Sequence, residues 1–63
     1  MVLIKFSTSS AAFDEDGDVE VCRILGEIEK KVMNLGTGGA IMDKNGNKIG
    51  QWEFTPDNYK EGD

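Results

Sequence analysis

The chain of 63 residues carries seven basic and twelve acidic side chains, a net charge of −5, one cysteine and no histidine. That length permits one domain, which buries only about 60% of the surface its unfolded chain exposes, so the core is marginal. The composition excludes an intramolecular disulfide, lacks the usual zinc ligands, offers no basic face to nucleic acid, and contains no run approaching the roughly 18 apolar residues of a membrane span. No cofactor or metal is expected, the lone thiol suits a reducing cytoplasm, and self-association is the remaining means of completing so small a core.

Val2, Ile4 and Phe6 alternate with Leu3, Lys5 and Ser7, a period of two that predicts a first strand over residues 2–7. The run Ser7-Thr8-Ser9-Ser10 ends it. Ala11, Ala12 and Phe13 form a small apolar island, whose ring either packs against one end of the following helix or stands out as an anchor for a partner.

Asp14, Glu15, Asp16, Asp18 and Glu20 precede a stretch of helical periodicity. Carboxylates there complement the positive end of a helix, with Asp16 or Asp18 as N-cap. The same five residues also make a candidate acidic contact surface, able to imitate phosphates toward a basic partner. Their alternate spacing is a poor match to a calcium loop, which needs glycine sixth and glutamate twelfth, where this chain has Val19 and Leu25. The helix shows one buried face at Val21, Leu25, Ile28, Val32 and Leu35, widened by Ile24, with Gly36 as the left-handed cap. Cys22 borders that stripe and reads as a buried, inert thiol, and Gly26 interrupts the middle of the helix.

After Thr37, Gly38 and Gly39, an Asn45-Gly46 pair between two strand-like runs predicts a hairpin. A two-residue loop pairs Asp43 with Lys48, Met42 with Ile49 and Ile41 with Gly50; a three-residue loop would instead pair Ile41 with Ile49. In the first register Ile41, Trp52 and Phe54 join Val2, Ile4 and Phe6 in the core. Leu3, Met42 and Ile49 are left on the opposite face. These three, with Phe13, are the candidate interface residues, because one helix covers only one side of a sheet. Residues 56–63 read as a disordered polar tail on a single domain of residues 1–55.

The order strand, helix, strand, strand predicts an α+β fold, a two-layer β-α-β-β unit whose three-stranded sheet carries one helix on one face. A crossover makes the first strand parallel to the second, with its neighbour left open. With no histidine, no serine in a nucleophile setting and no phosphate-cradling loop, nothing here predicts an enzyme.

The segments Ser10-Ala11-Ala12-Phe13, Glu20-Val21-Cys22-Arg23-Ile24-Leu25 and Asp43-Lys44-Asn45-Gly46-Asn47-Lys48-Ile49-Gly50-Gln51-Trp52-Glu53 together resemble small accessory proteins of tailed bacteriophages, over most of residues 2–54. Cys22 stands where such proteins more often have alanine. The resemblance implies a protein acting in the cytoplasm of an infected bacterium. Its partner there would be a bacterial host protein such as a defence factor, in place of or alongside the second copy of the chain that the small core leads one to expect.

Overall fold

A computed structural model describes residues 1–56, so the tail expected over 56–63, Tyr59 included, lies outside the described residues from position 57 onward. The elements are β1 (Val2–Phe6), a single 3₁₀ turn (Ala11–Phe13), α1 (Gly17–Met33), β2 (Gly38–Met42) and β3 (Lys48–Phe54). They form the expected α+β unit. The sheet order is β1-β3-β2 with both pairings antiparallel, so β1 and β2 run parallel to each other on either side of β3. Among the described residues no helix is long and apolar enough to cross a membrane.

The core is small. Ile24 and Ile28 of α1 meet Ile41 and Trp52 of the sheet, and Phe6, Phe13, Val32, Ile49 and Phe54 pack around this group. Trp52 is only 3% exposed, and its indole Nε1 has no hydrogen-bond partner among the described residues, an arrangement that costs about 1–3 kcal/mol. Gly39 is its neighbour across the ladder.

The helix departs from its expected shape at both ends and along its face. Asp16 takes a left-handed conformation (φ 54°) and makes no side-chain cap; Val19 and Glu20 N–H groups donate to its carbonyl instead. At the other end Leu35, not Gly36, is the left-handed residue (φ 66°). The Gly36 N–H donates to Lys31 O at 2.7 Å and the Leu35 N–H to Val32 O at 3.0 Å, the paired bonds of a Schellman cap. Gly36 is required there for closeness, since a Cβ would meet Lys31 O at 2.7 Å. Leu35 therefore lies outside the helix and is 90% exposed, and Leu25 is 45% exposed. The buried line is Glu20, Ile24 and Ile28, flanked by half-buried Val21 and Val32.

The hairpin combines features of both expected registers. Its loop has three residues: Gly46 N–H closes the turn on Asp43 O, Asp43 N–H donates to Asn47 O, and Gly46 takes a positive φ of 85°. Met42 therefore faces Lys48. A bulge then absorbs Ile49, and Ile41 faces Gly50 as the two-residue loop predicted. The bulge modifies the expectation for Ile49, which is partly buried and packs against the core, although it also borders the hollow that Leu3 lines.

Candidate functional site

Two carboxylates, each 4% exposed, anchor the hairpin loop: Glu20 ties it to α1 and Asp43 ties it to Ser10, ahead of the 3₁₀ turn. Glu20 accepts from Arg23 Nε and Nη2, both at 2.9 Å, in a bidentate pair, and from the Lys44 backbone N–H at 2.8 Å. Arg23 also donates to Met42 O at 3.1 Å. Asp43 accepts from the Asn45 and Asn47 N–H groups at 2.9 Å each, from Ser10 Oγ at 2.9 Å and from Asn47 Nδ2 at 3.3 Å. This Asx-type network explains the wider loop, because one carboxylate at its base satisfies the backbone on both sides of Gly46.

The electrostatics follow from these partners. The Arg23 guanidinium, helped by the Lys44 N–H, holds Glu20 below the usual glutamate range against the opposing effect of burial. Glu20 in turn raises Arg23. The Asn47 N–H, with Ser10 and Asn45, lowers Asp43 against its own burial. Both carboxylates are ionised at neutral pH and committed as acceptors, so this cluster is a clamp between elements and not a proton-transfer pair. Glu20 accordingly leaves the expected acidic contact surface. Asp14, Glu15, Asp16 and Asp18 stay on it, all exposed. Among the described residues no three side chains of metal-ligating type converge.

The four candidate interface residues do not form one patch. Phe13 is half-buried and stacks on Phe6 with ring centroids 6.3 Å apart, which makes it a lid on the core. Ile49 is half-buried against the core. Leu3 and Met42 are 51% and 47% exposed, but they sit on the two edge strands, near Glu53 at one end of β3 and Lys48 at the other. Two strand spacings, about 10 Å, separate them across the sheet.

Apolar exposure is instead concentrated in two places that the periodicity of the chain obscured. The first is the outer side of α1. Val19 (62% exposed), Cys22, Gly26 and Met33 (76% exposed) share it at about 100° per residue, with Leu25 at its border. Spacings of three, four and seven from Val19 to Met33 carried this signal, which the stronger run from Val21 to Leu35 masked. Cys22 is exposed, contrary to its expected burial, because it lies on the side of the helix away from Ile24 and Ile28. Ellman's reagent should therefore modify the native thiol within about tenfold of the rate for the unfolded chain; protection beyond about a hundredfold would mean it is covered. The second place is β1, where Val2 is 54% and Ile4 39% exposed beside Leu3.

No known family matches the chain, and no curated protein or solved structure resembles it significantly.

Proposed function

We propose that this is a non-catalytic accessory protein, of the kind carried by tailed bacteriophages, that acts in the cytoplasm of an infected bacterium by binding and inhibiting a host protein, with defence factors as the leading class of target. Support comes from the outer face of α1. A helix packed on a sheet needs one apolar stripe and ordinarily turns polar groups to water. Here the second stripe of Val19, Leu25 and Met33 is left uncovered, while Gly26, with open space around it, allows close approach of another backbone. The phage assignment rests on the resemblance in the three segments named above.

A second reading, an acidic mimic that occupies the nucleic-acid site of a basic host protein, draws on Asp14, Glu15, Asp16 and Asp18. All four are exposed, and helix capping does not account for Asp16, whose side chain caps nothing. Cross-linking to proteins of a bacterial extract, followed by mass spectrometry, separates the two. On the first reading a partner cross-links to α1, survives about 0.5 M salt, where the Debye length is about 4 Å, and is lost from the Val19→Lys/Met33→Lys double variant. A partner that the double variant retains, and that salt or neutralisation of the four acidic residues removes, overturns that reading in favour of mimicry.

A further inference from the structure

β1 is an edge strand, and its hydrogen-bonding pattern shows which groups are unused. Ser7 N–H donates to Ile49 O and Thr55 N–H to Met1 O, so the odd-numbered residues of this strand exchange bonds with β3. The N–H and C=O groups of Val2, Ile4 and Phe6 therefore point away from the sheet. The other edge is guarded. Arg23 donates to Met42 O on β2, and Arg23, Glu27 and Lys31 of α1 line the groove beside that strand. Among the described residues β1 has no such helix beside it, and Lys5 is its one charged residue. A free edge with exposed apolar side chains is a template for another strand.

From this we infer that β1 pairs antiparallel with β1 of a second copy about a two-fold axis at Ile4, joining the two three-stranded sheets into one. The register follows from the strand itself. An axis at Ile4 sets Ile4 opposite Ile4 and Val2 opposite Phe6, using every outward group in about six main-chain hydrogen bonds. An axis at Lys5 would place two ammonium groups face to face, which is unfavourable, and an axis at Leu3 leaves Phe6 unpaired. With the axis at Ile4, Lys5 stands opposite Leu3 of the other copy, whose own neighbour is Glu53. Each row across the open face then holds one ammonium and one carboxylate. Paired residues share a face, so both α1 helices lie on the same side of the joined sheet. This pairing uses a surface separate from the outer face of α1, and either can fail without the other.

The test is light scattering on the full chain up to about 0.5 mM, because an edge of this length supports dissociation constants on the order of 10–100 µM. Ile4→Pro removes an outward N–H and breaks no bond to β3, and it is expected to weaken association at least about tenfold with an unchanged circular dichroism spectrum. In a Cys22→Ser background, Ile4→Cys is expected to oxidise to a covalent dimer, its Cα atoms being about 5.5 Å apart across the axis, whereas Leu3→Cys is not. A wild-type chain that is monomeric at about 0.5 mM overturns the inference. So does an Ile4→Pro protein that folds and associates like wild type, or a Leu3→Cys chain that cross-links as readily as Ile4→Cys. Should Ile4→Pro fail to fold, the two cysteine variants decide the matter.

Discussion

Gly50→Ala is expected to leave the chain largely unfolded. Gly50 stands opposite Phe6 where β3 crosses β1 just past the bulge. A Cβ there would overlap Lys5 O and lie 2.5 Å from Phe6 Cα and 2.6 Å from Phe6 Cβ. The obstacles are backbone atoms and the root of a side chain, which cannot rotate away, so β1 would have to separate from β3. Overpacking ordinarily costs about 1–3 kcal/mol, and a backbone clash belongs at or above the top of that range. A domain of this length holds only about 3–9 kcal/mol in total. Gly26→Ala is the matched control: nothing lies within 4 Å of its added Cβ, and alanine in mid-helix should stabilise by about 1 kcal/mol. Thermal melts of the two variants check both signs. A Gly50→Ala protein with a wild-type melting temperature would mean that the bulge does not bring β1 and β3 as close as described.

The second large effect is expected from Glu20 and is best read against pH. Glu20 and Asp43 both have folded pKa values below their unfolded ones, the first through Arg23 and the second through the Asn47 N–H. Each carboxylate therefore contributes stability that is fully present above its unfolded pKa, about 4.3 for glutamate and 3.9 for aspartate, and is lost as pH falls through the lower folded value. The melting temperature should accordingly hold steady from neutral pH to about 5 and then drop steeply. Glu20→Gln exchanges a carboxylate that accepts three hydrogen bonds for an amide that must turn its NH₂ toward Arg23 or Lys44. At pH 7 it should lower the melting temperature by about 5 °C or more, and its acid transition should be shallower than that of the wild type. Parallel acid profiles for the variant and the wild type would remove Glu20 from the clamp.

Much of the architecture was legible in the chain because it rests on local signals. The alternation from Val2 to Ser7, the helical period around Ile24 and Ile28, and the Asn45-Gly46 pair each specify an element without reference to the rest of the molecule. The core pairing of Ile41 with Gly50 was also reachable, since only that register puts Ile41 and Trp52 on one face. What the loop itself does was not reachable. Asp43 recruits Ser10, 33 positions earlier, and with the backbone of Asn45 and Asn47 builds a three-residue loop that the bulge at Ile49 then offsets.

The candidate surfaces were less legible for a related reason. Glu20 reads as one more carboxylate in an acidic run until the fold sets the Lys44 N–H against it, and Leu25 and Cys22 face outward because Ile24 and Ile28 take the side of the helix that meets the sheet. Leu3 and Met42 look alike in sequence but lie on opposite edges, because the order β1-β3-β2 puts the hairpin's second strand between them. By itself, then, the sequence determined which segments become helix and strand and that Ile24, Ile28 and Ile41 belong with Trp52, since those depend on period and turn chemistry within a few residues, whereas Val2 and Ile4, expected in the same core, are 54% and 39% exposed. Only the tertiary structure decided which charges are buried, which thiol is exposed and which edge stays open, because each depends on groups brought together from distant parts of the chain.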